Sequence, residues 1–209
     1  NDASTSTQAK LVDLYIPKDF SEQFNGPNFG IDGVRKITGV SERPLLLNMI
    51  KPCVGFTPEV GAGIFYDTAL GGVDLIKDDE LLASPEYCPL TDRVDEYLKA
   101  SKRAFEETGK KTIYVPNITD DVDKIIQNGQ MAVEKGAEMV MINFAATGID
   151  SLHQLAKNID VPILGHYASA GPYYEGASSG LFSNLFLGKL ARMAGADMVM
   201  INTPYGGYP

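Results

Sequence analysis

Gly136-Ala137-Glu138-Met139-Val140-Met141-Ile142-Asn143 returns, two strand–helix units later, as Gly195-Ala196-Asp197-Met198-Val199-Met200-Ile201-Asn202. Gly71-Gly72-Val73-Asp74-Leu75-Ile76 is a weaker third copy, again two units before. Glycine ends a helix and a buried parallel strand has to be apolar, so convergence alone can write such a string. On either origin the repetition favours a repeated βα architecture, and in a barrel alternate strands fill the same interior layers.

Outward from these copies the same cycle covers the chain from residue 44. Leu45-Leu46-Leu47-Asn48-Met49-Ile50 is short and apolar enough for a buried strand. Thr57-Pro58-Glu59 then reads as a helix start, with Thr as N-cap, Pro at the first helical position and an acid in the first turn. That helix is expected to end near Gly71-Gly72. Further strands are expected at Val73–Ile76, Thr112–Val115, Met139–Ile142, Pro162–Gly165 and Met198–Ile201. The helices between them are placed near Asp92–Glu107, Val122–Lys135, Ser151–Asn158 and, after the Gly/Ser-rich loop at 171–180, Leu181–Met193. Six apolar strands joined by five helices mean a parallel sheet covered by helices. A closed (β/α)8 TIM barrel and an open doubly wound sheet both fit at this level. The first strand is not followed by G-x-G-x-x-G, which counts against a dinucleotide fold.

With 44% apolar and 22% charged residues the 209-residue chain has the composition of an ordinary globular α/β protein. A net charge of -9 without a Lys/Arg block gives no support to nucleic-acid or lipid-surface binding. Cys53 and Cys88 have no metal-ligand spacing and read as free thiols of a reducing compartment, so the expected location is cytoplasmic. No apolar run reaches the ~20 residues of a membrane span. Asn1–Gln8 lacks the basic and apolar regions of a signal peptide, and the missing initiator Met suggests that the natural chain begins earlier.

The working face of a barrel is the C-terminal end of its strands. Residues following each apolar run are Lys51-Pro52-Cys53, Lys77-Asp78-Asp79-Glu80, Asn117 with Thr119, Asn143, His166 and Asn202. Alternation sends Lys77 and Asp79 one way and Asp78 and Glu80 the other, unless a twist at the strand end brings Asp79 and Glu80 around one metal. Two carboxylates plus water suit Mg2+. The alternative is a solvated charge cluster. Lys51, fixed by Pro52, is a candidate desolvated lysine with a lowered pKa, and hence a proton carrier. His166 is a catalytic or a structural histidine by placement, and His153 a surface or packing one. Asn117, Asn143, Tyr167 and Asn202 are the substrate-binding candidates.

In order and spacing these residues resemble the RuBisCO large-subunit superfamily. The likeness starts at Leu11-Val12-Asp13-Leu14-Tyr15-Ile16-Pro17 and Phe24-Asn25-Gly26-Pro27-Asn28-Phe29-Gly30-Ile31, similar to the connector between that family's N-terminal domain and its barrel. It continues through Arg43-Pro44-Leu45-Leu46, Ile50-Lys51-Pro52, Gly71-Gly72-Val73-Asp74 and Lys77-Asp78-Asp79-Glu80. The resemblance implies residues 1–43 as the end of an N-terminal domain and its connector, and 44–209 as strands 1–6 of a truncated (β/α)8 barrel. It implies that Lys77 can be carbamylated by CO2, that Asp79 and Glu80 join it around Mg2+, and that Lys51 and His166 are catalytic. It also implies a homodimer whose site borrows residues from the partner's N-terminal domain.

Departures from the carboxylase pattern redirect the expected activity. Cys53 stands where that pattern has a second lysine, Tyr167 where it has a phosphate-gripping arginine, and Met200 where it has a histidine. Thr203-Pro204-Tyr205-Gly206-Gly207 carries no lysine, and without that cation charge developing on CO2 is unstabilised. The resemblance is therefore to the non-carboxylating RuBisCO-like proteins, which enolise, isomerise or decarboxylate phosphorylated keto-sugar derivatives. A catalytically silent homologue with a binding or regulatory role is the alternative, with a true carboxylase behind it. Strands 7 and 8, and the phosphate sites they carry in the family, are expected to be missing, leaving strands 1 and 6 as exposed, aggregation-prone edges.

Overall fold

The computed structural model describes residues 8–201. Thr57 and Pro58 start a helix as their chemistry dictates: Thr57 Oγ1 accepts from Val60 N and Pro58 occupies the first turn of α3 (Pro58–Leu70). Before it lie β1 (Lys10–Leu11), α1 (Lys18–Ser21), α2 (Gly30–Thr38) and β2 (Leu47–Met49). After it come β3 (Leu75–Lys77), α4 (Leu90–Thr108), β4 (Ile113–Val115), α5 (Ile125–Glu134), β5 (Val140–Ile142), α6 (Phe144–Thr147), α7 (Ile149–Asn158) and β6 (Ile163–Gly165). The described chain ends with α8 (Gly171–Tyr174), β7 (Gly180–Leu181), a π-helical segment Asn184–Leu190 running into α9 (Ala191–Ala194), and β8 (Met198–Val199). Gly109 stops α4 in the left-handed region at φ 69°, where a side chain would be strained.

All six expected strands are present and parallel. β2-β3-β4 form one ladder and β5-β6-β8 another, joined through a bridge between Asn117 and Met141. Strand alternation separates two cores. Leu75, Ile113, Val115, Met139, Met141 and Leu164 share one face, with Leu47, Met198 and Met200 packed on them. Ile76, Tyr114, Val140, Ile142 and Ile163 share the other with the apolar stripes of α3, α4, α5 and α7. Every crossover helix thus lies on one face. A doubly wound sheet would be covered on both, so the ladders form the curved wall of a (β/α) barrel.

Two elements depart from the sequence expectation. The stretch expected as one helix over Leu181–Met193 begins as strand β7, which pairs in parallel with β1 through Lys10↔Gly180 and Leu11↔Leu181, and helical turns start only at Asn184. Its partner comes from the opposite end of the chain, and Lys10 Nζ reinforces it by donating to the carbonyls of Tyr174 and Gly176. α2, not expected as a helix, closes the N-terminal end of the barrel by burying Val34 in the interior cluster.

The repeated string has a structural reason in two of its three copies. Asp74, entering β3, accepts from the backbone N of Leu46 beside β2 (2.8 Å), and Asp197, entering β8, accepts from Ile163 N of β6 (2.8 Å). Each carboxylate therefore ties its strand to the neighbouring one. Both Asp74 oxygens also accept from Arg43 in a two-pronged pair (2.7 Å each), and the second oxygen of Asp197 accepts from the N–H groups of Phe29 and Gly30 where α2 begins. Glu138, the third copy, is exposed and pairs with Lys111.

Hydrogen bonding to Arg43, aided by Leu46 N, holds the Asp74 carboxyl below its ordinary 3.8. A lowered carboxylate stabilises the fold fully above that ordinary value and loses the contribution as pH falls through its native one. Asp74→Asn is expected to lower stability by about 2 kcal/mol at pH 7, an order-of-magnitude figure for hydrogen bonds to a charged group. In melts over pH 3–7 the gap to the wild type should stay constant above about pH 5 and narrow below pH 4. A gap that does not change with pH would exclude this role for Asp74.

Candidate active site

The ends of β2, β3 and β6 carry the ionisable groups to one place. Lys77, last residue of β3, points into the barrel with Leu75 and is 1% exposed. Asp78 points the opposite way, into the helix layer. The backbone then turns, with Leu82 N donating to Asp79 O and Leu81 N to Asp79 Oδ1 (3.0 Å). This turn keeps both following acids at the site. Asp79 Oδ2 accepts from Lys51 Nζ at 2.6 Å, and Glu80 Oε2 accepts from Lys77 Nζ at 3.2 Å. His166, at the end of β6, brings Nε2 to 3.5 Å from the same Glu80 oxygen. Lys51, Lys77, Asp79, Glu80 and His166 thus form one cluster.

Each charge has an identifiable cause. Burial would raise the Asp79 and Glu80 carboxyls, but hydrogen bonds and the Lys51 and Lys77 ammoniums outweigh it and hold both below their ordinary values. Burial, then the Lys77 ammonium, pushes His166 down to about 4, so its ring is neutral at neutral pH. Ala168 N donates to His166 Nδ1 (3.1 Å), which leaves the ring proton on Nε2, facing Glu80. The lowered pKa expected of Lys51 is corrected here. Hydrogen bonds to Asp79 and then Cys53 hold the ammonium above the usual lysine range, and the side chain is 53% exposed instead of desolvated.

The loop after β3 is held from both sides. Asn117 is fully buried, its Nδ2 donating to the carbonyls of Asp79, Glu80 and Leu82 while Oδ1 accepts from Thr119 N and Oγ1. It is therefore placed as a support of the loop and not, as expected, facing a substrate. Asn143 Nδ2 adds a bond to Glu80 O (2.9 Å), and its buried Oδ1 has no partner among the described residues. From the helix layer, the 0% exposed Arg93 donates Nε to Asp78 Oδ2 (3.0 Å), and its remaining N–H groups to the carbonyls of Leu82, Ala83 and Cys88. Asp78 also accepts from Tyr114 OH and Asn117 N. Arg93, and with it the pairing of Asp78, is not found by the sequence reading, although a signal exists. Leu90, Arg93, Tyr97, Ala100 and Ala104 lie on one helical stripe, and a charge on an apolar stripe calls for a buried partner.

The other expected residues fall as follows. Tyr167 stacks on His166 (5.2 Å between centroids, 14° between planes). Met200 packs against the barrel interior, and Cys53 Sγ lies 3.0 Å from Lys51 Nζ. His153 packs on the ring of Phe24, away from the cluster. Cys53 and Cys88 are free thiols. Asn202 and the Thr203–Gly207 loop lie outside the described residues.

The donor set suits a hard cation. Asp79 and Glu80 offer carboxylate oxygens, and among the described residues no group of three His, Cys, Asp or Glu side chains is placed to hold a metal ion by itself. Mg2+ takes one or two carboxylates and keeps several waters, so two acids and a polar shell fit it. Lys77 Nζ donates to Glu80 Oε2. Lys77 would become a third oxygen donor only as a carbamate.

A one-sided (β/α) barrel wall with its charged cluster at the strand C-termini defines a chain of the (β/α)-barrel class. Comparison with known proteins narrows the class. The model of the ribulose bisphosphate carboxylase large chain, catalytic domain, matches residues 30–208, and the chain belongs to this RuBisCO large-chain family. A ribulose bisphosphate carboxylase-like protein of Archaeoglobus fulgidus is 49% identical over 208 residues, covering 99% of this chain and 48% of that protein. The 2,3-diketo-5-methylthiopentyl-1-phosphate enolase of Geobacillus kaustophilus is 39% identical over 205 residues, 97% of this chain and 50% of the enzyme. Among solved structures, a rubisco-like protein from Alicyclobacillus acidocaldarius superposes with a TM-score of 0.88 at 36% identity, over 92% of this chain and 49% of that one. The dimeric archaeal Rubisco of Hyperthermus butylicus gives 0.87 at 37%, over 91% and 45%. The chain spans about half the length of the curated relatives it matches.

Removing one partner of a buried ion pair leaves an uncompensated charge, so Arg93→Met is expected to cost about 3–5 kcal/mol in denaturant unfolding. Adding Asp78→Asn should recover part of that loss. A cost under about 1 kcal/mol for Arg93→Met alone would show that the pair does not hold the loop.

Proposed function

We propose that the chain carries the metal-binding and proton-handling part of a RuBisCO-like enzyme, one that enolises a phosphorylated keto-sugar derivative without fixing CO2. The observation that carries this reading is the cluster itself: Lys51, Lys77, Asp79, Glu80 and a neutral His166 joined by contacts of 2.6–3.5 Å at the strand ends. Relatives named 2,3-diketo-5-methylthiopentyl-1-phosphate enolase support both the enzyme class and a phosphorylated substrate.

Asp79 and Glu80 would hold Mg2+, with Lys77 as a carbamate beside them, and the ion would supply a Lewis acid for the substrate ketone. Charge balance supports this set. Two lysines and two acids are neutral together. Conversion of the Lys77 ammonium into a carbamate subtracts two charges, and a divalent cation restores them. Lys77, as a carbamate, or Lys51, once its ammonium has given up a proton, would serve as the base for the α-proton. His166, neutral with its proton on Nε2, is suited to donate to a substrate oxygen, and Tyr167, stacked on it, to border the same substrate. Asn117 and Asn143 keep the Glu80 carbonyl in place, and Asn202 is retained as a substrate-binding candidate.

Cys53, Tyr167 and Met200, together with the lysine-free 203–207 stretch, favour an outcome other than carboxylation. The intact cluster weighs against a catalytically silent homologue. The division into a connector over 1–43 and barrel strands over 44–209, and a homodimer as the working unit, belong to this proposal.

The reading is tested by following α-proton exchange in D2O by NMR on a panel of keto-sugar phosphates, with and without Mg2+ and bicarbonate. Exchange should require Mg2+ and fall by about 10²–10⁴-fold in Lys77→Ala, the usual range for loss of general acid–base catalysis. Metal binding without exchange on any compound would contradict the enolase reading.

A further inference from the structure

Lys51 Nζ sits on the carboxylate that the proposed site would give to Mg2+. Leu81 N already occupies Asp79 Oδ1, so Oδ2 is the oxygen left for a cation, and Lys51 Nζ sits on it at 2.6 Å. The other lysine of the cluster has no such freedom. Lys77 is 1% exposed and its Nζ is also tied to the carbonyl of Asp78, whereas the Lys51 side chain is 53% exposed and has open space to swing into. Asp79 itself cannot follow Lys51 outward. Its carboxylate is 1% exposed, and its carbonyl is bound by Asn117 Nδ2 and Leu82 N.

We infer that Lys51 is an internal placeholder for the metal: its ammonium neutralises Asp79 until a divalent cation takes Oδ2, and loading releases the amine from Asp79 toward the substrate space. The inference rests on the metal reading proposed above and adds to it an order of events, with displacement of Lys51 preceding any contact it makes with substrate. Cys53 Sγ, 3.0 Å from the same Nζ, is the second partner that Lys51 leaves or keeps on displacement. A lysine at that position would instead place a like charge beside Lys51.

Two measurements on the intact protein test this, neither using activity. Mn2+ affinity is read, in bicarbonate-containing buffer, by electron paramagnetic resonance of the free ion, for the wild type, Lys51→Met and Lys51→Arg. Lysine reactivity is read by mass spectrometry after brief acetylation, with and without Mg2+, for the wild type and Asp79→Asn. With the placeholder removed, Lys51→Met should bind Mn2+ several-fold more tightly than the wild type, and Lys51→Arg should not. Labelling of Lys51 should rise several-fold when Mg2+ is added to the wild type. In Asp79→Asn it should be high from the start and indifferent to Mg2+, which separates release from Asp79 from a general effect of added charge. Metal binding with unchanged Lys51 labelling, or weaker Mn2+ binding by Lys51→Met, would overturn the placeholder and leave the metal site standing. Absence of Mn2+ binding by the wild type would overturn both.

Discussion

A carboxylate with no solvent contact has to find a cation, and Asp78 finds it in Arg93, itself fully buried between β3 and α4. That pair decides which way the acidic run after β3 is turned. With Asp78 drawn into the helix layer, Lys77 on one side and Asp79 and Glu80 on the other are left at the barrel mouth. The same guanidinium takes the carbonyls of Leu82, Ala83 and Cys88, so the loop cannot drift from the helix that follows it. Asn117 and Asn143 fix the inner side of the loop through the Glu80 carbonyl. A charged cluster built this way is preorganised: its supports are buried backbone and side-chain bonds, while the groups that face the site remain available.

Within the cluster, local charge is balanced by proximity and not by solvent. Asp79 and Glu80 each face a lysine, and His166, between a lysine and a carboxylate, stays neutral because burial disfavours its charged form. A protein with net charge -9 thus holds a cluster in which two ammonium groups and two carboxylates cancel. The global charge and the local charge are set by different residues and have no need to agree.

Most of this architecture could be read from sequence because parallel strands and their helices are local objects. Thr57-Pro58 and Gly109 punctuate helices by their own chemistry, and the apolar runs ending in Lys51, Lys77, Asn117, Asn143 and His166 announce strand ends. What stayed hidden depends on partners far away in the chain. β7 exists because β1 pairs with it, and Arg93 is a core residue because Asp78 meets it across the helix layer. α2 had local signals in Val34, Ile37 and the left-handed Gly39, but its reason for existing is the barrel end it closes. Lys51 was misread for a related cause. Its environment was judged from the apolar strand before it, whereas its charge is governed by Asp79, a residue from the neighbouring strand end.

As one oxygen-rich metal site, the proposed set of Lys77, Asp79 and Glu80 requires the Lys77 amine to become an anion. The most direct measurement is carbon-13 NMR of the intact protein in labelled bicarbonate, with and without Mg2+, beside Lys77→Ala. The account predicts a single carbamate resonance that strengthens or shifts with Mg2+ and is missing from the variant. A protein that binds Mg2+ tightly while showing no carbamate, or the same resonance in Lys77→Ala, would contradict it.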